Sequence, residues 1–550
     1  MICQHQGGYN LGEMKKLDWA ALLVVVLFLV SGILTLSHYG LSWDEGLGNL
    51  FFGERYLLYL TSFEEKYLDF KSDLPYHHQR AINTYRAPFR DSPNEFPPVT
   101  DIFSAAGMYL TAYWLELLNP VDGWHSFTIF MAGIFLGIFY RFFSQRIGRL
   151  PAFLGTVFLA SFPRFWGDMH FNPKDVPETI WISLVLMAYS IWYEKPRPGQ
   201  ALLVGVLFAF ALGTKVNALI VPLMIVFGVW PWRKGINSWK KNLQHIRKQL
   251  FHYLLMFTSF LSVYFLSWPY LYANPRRLIN YYTYIFFQGG RQGAGINGEI
   301  WQQVVFTMPE LMLLCLLIGV VYLGMTAKKS KTIWPRFLLI WLLFPLLRAS
   351  LPGMVNFDGI RHFLEFLPAA ALIAGVGGSQ LIRKIENRLE GSRIAVRAAF
   401  AVLLVINYTS IHWTYHPFQH LYYNRIVGGL PGASEVFGPN EATDYWAVSY
   451  RQGMDWLTEN ATSDAGLYTP VAPWLVEITA PLWLRPDLEI RSEFTRGQIN
   501  SLDSDLYVMF ITRPVFYDPV AQYCVENLTP VYAIPVDGVE VMQIYCLEYK

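Results

Sequence analysis

Four short polar strings interrupt an otherwise apolar chain, and each holds residue types that move protons or hold phosphates. The first is Ser42-Trp43-Asp44-Glu45, where either carboxylate could take a proton from a hydroxyl group, a role that partial burial and nearby cations tune. Asp44 also reads as the N-cap of a helix through Gly46–Leu58, and capping does not exclude base chemistry. The second, Asp168 to Asp175, packs His170, Asn172, Lys174 and Asp175 between two apolar stretches, where charges are costly unless paired, solvated or functional. A Lys174–Asp175 pair is the plainer reading, and His170 with Asp168 or Asp175 could hold a divalent cation, although the spacing matches no specific metal motif. The third is Lys215 and Asn217, with Lys215 either facing a phosphate or snorkelling to the interface. The fourth, Asp358-Gly359-Ile360-Arg361-His362, opens a helix, so backbone N–H groups and a guanidinium fork together suit an anion. An Arg361–Asp358 ion pair is its bland alternative.

The elements that must position these strings are membrane spans. With 550 residues, 53% of them hydrophobic and 17% aromatic, and a mean hydropathy of +0.27, the chain is too apolar for a soluble globule. The clearest apolar runs are Trp19–Leu36, Phe251–Tyr270, Val304–Leu323, Trp334–Ser350, Phe363–Ile382 and Ala395–Trp413. Shorter ones are His125–Phe143, Pro151–Phe162, Val176–Tyr193, Ala201–Leu212 and Asn217–Trp230. Together they predict about eleven spanning helices, each run covering much of the hydrocarbon thickness. With the N-terminus cytoplasmic, Arg141, Arg146, Arg149, Lys240, Lys241, Lys328, Lys329, Arg383, Lys384 and Arg388 all fall on the inner side, the asymmetry expected of cytoplasmic loops. That orientation puts the four polar strings on the outer side. The first apolar run is too long for a removable signal peptide and reads as an uncleaved helix.

A net charge of +2 without a basic tract excludes nucleic acid as a partner. No phosphate-binding glycine loop, zinc motif or Gly-x-Ser-x-Gly elbow is present. Between the first helix and Gly123 lies an outer segment of roughly 85 residues, a length that usually signals function. Within it Asp101–Leu118 is apolar but rich in Tyr and Trp, which suits a helix lying in the interface. The outer loop from Pro269 to Gln303 adds Arg291 and the mobile pair Gly289-Gly290. From His416 onward, 17 acidic residues against 7 basic ones, with strand-like runs at Ala465–Pro470, Asp505–Thr512 and Val539–Leu547, predict a small α/β domain. The organisation is therefore a membrane module over 1–415, with an outer loop over 39–123, and an extracytoplasmic domain over 416–550. Of the cysteines, Cys3 is cytoplasmic and Cys315 lies within a span, whereas Cys524 and Cys546 share the exterior tail, where a disulfide is chemically permitted and free thiols are equally expected.

In order along the chain, Trp43-Asp44-Glu45, Glu95-Phe96-Pro97-Pro98, His170 to Asp175, Thr214 to Asn217, Asp358 to Phe363 and Asp444-Tyr445-Trp446 resemble a bacterial branch of the GT-C membrane glycosyltransferases, near the protein O-mannosyltransferase and aminoarabinose-transferase relatives. The resemblance covers the layout of most of the first 400 residues. It implies a polytopic α-helical GT-C fold in a bacterial inner membrane and an inverting transfer of a sugar from a polyprenyl-phosphate donor to a lipid, glycan or protein acceptor on the outer face. Carried over by position, Asp44 is the general base with Glu45 its neighbour. Arg361 is the first choice for the donor phosphate, with His362, Lys174 and Lys215 beside it, while His170, Asn172, Asp175 and Asp358 orient substrate. No cofactor is implied with certainty; a divalent cation is the open candidate. The Pro-Pro motif departs from relatives in carrying Phe96 where His or Lys is frequent. The rival reading from another class is a transporter or flippase of lipid-linked sugars.

Overall fold

The computed structural model describes residues 11–70, 96–228, 244, 247–273, 275–283, 295–327, 330, 332–389 and 392–549. Cys3, Glu95, Gly289, Gly290, Arg291, Lys240, Lys241, Lys328 and Lys329 lie outside them. Among the described residues five helices are long and apolar enough to cross a bilayer: Lys16–Leu34, Pro120–Ser144, Glu310–Ala327, Arg361–Glu386 and Arg393–Tyr415. Four further apolar helices are shorter: Arg149–Ala160, Pro198–Leu212, Val216–Gly228 and Leu250–Leu266. Apolar helices of this length make the protein an integral membrane protein.

Two expected elements differ in detail. The run Val304–Leu323 is broken: one helix ends at Thr307, Met308 is extended, and a second helix starts at Glu310. Pro309 explains the break, since it disfavours helical geometry at the residue before it. The helix expected over Gly46–Leu58 begins as a π-type turn, Glu45–Asn49, with Gly48 at φ 175°, and becomes regular only from Leu50 to Ser62. Asp44 makes no side-chain capping bond there, so its carboxylate has another use. The apolar segment from Asp101 forms the helix Val99–Met108 and a π-type turn to Trp114, too short to span.

The Leu367–Glu386 helix is the axis of the bundle, with Leu367–Ala374 wholly buried. It lies between the helices Glu310–Ala327 and Arg149–Ala160. Backbone meets backbone at Gly377 against Cys315 and at Gly375 against Pro151, where a methyl group would collide with a carbonyl oxygen. Lipid tails offer helices no hydrophobic drive to associate, so small residues that permit this close packing supply the contact instead.

From His416 onward the described residues form helices and one sheet, with two strands more than the patterning revealed. Five strands, β1 Gly466–Tyr468, β2 Glu489–Arg491, β3 Leu506–Ile511, β4 Tyr532–Val536 and β5 Val539–Leu547, pair in the order β2-β1-β3-β5-β4. β1 is parallel to β2 and β3, while β5 is antiparallel to β3 and β4. All six residues of β3 are buried, as a strand covered on both faces requires. Cys524 and Cys546 are free thiols. The sheet does not stand apart from the first outer loop: Tyr39, Leu41, Leu50, Met108 and Trp124 belong to the same hydrophobic cluster as Leu506, Phe510 and Met542. Polar ties reinforce it, with Trp43 N donating to the Trp446 carbonyl at 2.8 Å and Arg451 reaching Asp122 at 2.8 Å and the Tyr39 carbonyl at 3.1 Å.

Gly377→Leu is expected to lower the yield of monodisperse protein and the Tm in detergent by well over 5 °C, because no neighbour can yield a backbone's width. Gly137→Ala, at a helix position with nothing within 4 Å, is expected to leave both unchanged; size-exclusion profiles and thermal unfolding check the pair.

Candidate active site

Arg361 stands where the 3₁₀ turn Arg361–Phe366 leads into the axial helix. Its guanidinium makes two ion pairs, Nη1 with Asp44 Oδ2 at 3.0 Å and Nη2 with Asp358 Oδ2 at 2.9 Å. The plane is set by two aromatic rings, Phe357 at 4.7 Å and Trp446 at 4.6 Å from the guanidinium carbon. Stacking of this kind stabilises a cation by about 0.5–2 kcal/mol and fixes its orientation. Residues 317 apart in the chain, Asp44 and Arg361, thus share one hydrogen bond.

The turn that presents Arg361 is held from three sides. Asp358 has φ 59° and Gly359 φ 74°, left-handed geometry that Gly takes freely and Asp takes at a small cost. Glu441 accepts from the Asp358 N–H at 2.7 Å and the Gly359 N–H at 3.3 Å. Arg513, just beyond β3, donates to Asp358 Oδ1 at 2.8 Å. Arg164 lies beneath Gly359 so closely that any side chain there would strike its guanidinium. Burial raises the Asp358 carboxyl, and the Arg361 and Arg513 charges oppose that rise.

A second polar layer adjoins the first. Lys215 Nζ meets Asp175 Oδ1 at 2.5 Å, and Asn172 donates to the other Asp175 oxygen at 2.8 Å. Lys174 turns away from Asp175 and pairs instead with Asp101 at 2.7 Å and the Pro97 carbonyl at 2.8 Å. Arg348 binds Glu365 at 2.9 Å, Asn217 at 3.0 Å and the His362 carbonyl at 2.6 Å. His362 packs edge-on against Phe357 at 4.5 Å and has Lys215, Arg361 and Arg348 as its charged neighbours. The arrangement is an arc of cations interleaved with acids along one end of the bundle.

Several residues predicted for the site are placed in it: Asp44, Arg361, Asp358, His362, Lys215 and Asp175 converge, and Lys174 lies at their edge beside Asp101. Others serve beneath it. Glu45 is 1% exposed and saturated: Ser42 N–H (2.8 Å), Ser42 Oγ (2.9 Å), Trp124 Nε1 (2.9 Å) and His125 Nε2 (3.1 Å) surround its carboxylate. It anchors the loop that carries Asp44 and has no open oxygen to offer a substrate. His170 is fully buried, stacked on Tyr39 at 4.0 Å, with its ring nitrogens at the Trp166 carbonyl (2.9 Å) and the Thr35 hydroxyl (3.0 Å). Burial pushes its pKa down to about 3, so it is a neutral packing ring, not a substrate ligand. Asn172 is likewise inward, accepting from the Lys174 and Asp175 N–H groups.

Among the described residues no three His, Cys, Asp or Glu side chains cluster as metal ligands would. Asp44, Asp358, Asp175 and Asp101 are each paired with a Lys or Arg.

Sequence reasoning missed Arg164, Arg348, Glu178, Glu365, Asp101, Glu441 and Arg513. Arg348, Glu178 and Glu365 did carry a signal, being charges within apolar runs; Arg513 and Glu441 carried none. Asp168, also buried, has its pKa raised to about 8 by burial and by the Asp175 charge, with Arg164 and Arg361 opposing.

Solved structures share this architecture. The structure of ArnT from Cupriavidus metallidurans bound to undecaprenyl phosphate superposes with a TM-score of 0.50 at 14% identity, over 96% of this chain and 98% of that one. Its apo state gives 0.51 at 13% identity, over 96% and 97%. The oligosaccharyltransferase AglB from Archaeoglobus fulgidus is more distant, at 0.46 and 10% identity, over 95% of this chain and 74% of that one. The two ArnT superpositions give the chain the fold of the GT-C membrane glycosyltransferases. No protein-family profile and no curated protein sequence matches it.

Glu45→Gln should cost stability, because a neutral amide cannot accept from four donors; a fall in Tm of several degrees is expected, against little change for Asp44→Asn at its half-open position. The Asp168 carboxyl supplies a pH test. Folding raises its pKa, so its contribution to stability is complete below about 4 and is lost as pH rises through about 8. The Tm difference between Asp168→Asn and the parent should therefore move in the variant's favour from pH 6 to pH 9, as read by thermal unfolding across that range.

Proposed function

We propose that this protein is an inverting glycosyltransferase that moves a sugar from a polyprenyl-phosphate donor to a hydroxyl acceptor at the extracytoplasmic face of a bacterial inner membrane, with its N-terminus in the cytoplasm and its C-terminus outside. The observation that carries the reading is the 3.0 Å approach of a partly open acid, Asp44, to an aromatic-held cation, Arg361, on a scaffold of GT-C type. A base beside a phosphate-binding cation is what displacement at a glycosyl phosphate needs.

The step balances as follows. Asp44 accepts the proton of the acceptor hydroxyl as its oxygen bonds to the anomeric carbon from the face opposite the phosphate. The bond from that carbon to the phosphate oxygen breaks, and its electron pair leaves with the lipid phosphate. Arg361, with Lys215 beside it, neutralises the charge that develops there, and His362 can offer it a hydrogen bond. A positioned base contributes about 10²–10⁴ to such a rate, and one well-placed donor at the leaving oxygen about 10²–10³. That ArnT is solved with undecaprenyl phosphate supports a lipid phosphate as the ligand class. The acceptor, lipid, glycan or protein, approaches from the side of the tail, which reaches Asp358 and Arg361 through Arg513 and Trp446.

Transfer from a labelled undecaprenyl-phosphate sugar should fall by at least about 10² in Asp44→Asn with lipid binding retained. Arg361→Ala should lose lipid binding as well. Mass spectrometry of envelope glycans with and without the protein names the sugar. Full activity in Asp44→Asn would refute the base assignment and favour transport.

A further inference from the structure

We infer that Asp44 and the donor phosphate compete for one prong of Arg361, so that binding of the donor is the event that frees the base. The inference rests on the proposed function and adds to it an order of events.

Both prongs of the Arg361 fork are taken, one by Asp44 and one by Asp358. The fork cannot swing away to meet a phosphate elsewhere, because Phe357 and Trp446 hold its plane and Trp446 is itself buried against Phe171. The third in-plane donor, Nε, has no partner among the described residues but is sealed from solvent, so a phosphate arriving from the open side meets the fork at the prong that half-exposed Asp44 holds.

The two carboxylates are not equally replaceable. Asp358 has a side chain only 4% exposed, a second ion pair to Arg513, and a backbone N–H bonded to Glu441. Displacing it would break three bonds and unseat the turn. The Asp44 side chain is 40% exposed, and among the described residues the Arg361 prong is the one bond its carboxylate makes. It also caps no helix, although it sits at the start of one. Asp44 is the arm that yields, and it yields toward solvent, from which an acceptor hydroxyl must come.

The exchange has a consequence at each end of the cycle. Before the donor arrives, Asp44 is engaged with a cation and is a poor base, which guards against misdirected chemistry. After transfer, Asp44 carries the acceptor's proton and no longer competes, so the lipid phosphate stays on Arg361. Loss of that proton to water restores the carboxylate, which reclaims the prong and helps expel the product.

The test is the affinity of undecaprenyl phosphate for the purified full-length protein in detergent. Asp44→Asn should bind it about tenfold more tightly than the parent, since one charge-assisted bond no longer has to be broken. Asp44→Glu, which keeps the competing charge, should stay near the parent value. In an Arg361→Gln background, itself weaker, Asp44→Asn should add nothing, as a double-mutant cycle reads directly. Unchanged or weaker binding by Asp44→Asn overturns the competition, as does an equal gain in the Arg361→Gln background. A merely structural partnership would lower the Tm without tightening binding. Should Asp44→Asn not yield folded protein, Asp44→Ser poses the same question. If Arg361→Gln binds the lipid as well as the parent does, the phosphate role of Arg361 falls too; if it weakens while Asp44→Asn does not tighten, only the competition falls.

Discussion

A guanidinium at the edge of a membrane must be compensated on every side or it will not stay there, and the site of this protein is organised by how Arg361 is compensated. Two aromatic rings hold its faces and two carboxylates hold its prongs. Removing a buried partner such as Asp358 from such a charge is costlier than the pair itself is worth, because the remaining ion is left in a poor solvent. Each compensating group therefore has to be anchored in its turn. Asp358 is tied to Arg513 and Glu441 in the tail, and the loop bearing Asp44 is tied through Glu45 to Trp124 and His125.

The same logic explains the shape of the molecule. The axial helix Leu367–Glu386 is packed too tightly by Gly375 and Gly377 to shift along its neighbours, so the turn at its head is a fixed platform for Arg361. Above it, the tail reaches the site with Arg513, Glu441 and Trp446, and shares a hydrophobic cluster with the first outer loop. The segment that follows the last helix is thus part of the same polar site. Asp44, half open and held by one ion pair, contrasts with Asp358, which is buried and held by two.

Much of this was legible in the residues. The charged strings stood out because polar side chains beside apolar runs need a reason, and Asp44, Arg361, Asp358, Lys215 and Asp175 do converge. The apolar runs located the main helices to within a few residues, and three of the five strands. The limits were equally physical. His170 and Asn172 have the same composition as substrate ligands but are consumed by local packing, and Glu45 differs from Asp44 only in which way a single residue points. A Lys174–Asp175 pair is the plainer reading of residues adjacent in the chain, and a phosphate contact the one that the resemblance implies, yet Asp101 takes Lys174.

Sequence alone determined that the chain lives in a membrane and that its acids and cations gather in a few places, because hydropathy and the cost of buried charge are properties of the residues themselves. Tertiary structure decided which acid meets which cation. Ion pairs are formed across hundreds of residues by the packing of helices, and distance in space, not in the chain, sets their energy. Only the fold could bring Arg513 and Glu441 to Asp358, and only the fold could leave Asp44 half open while sealing Glu45 one residue away.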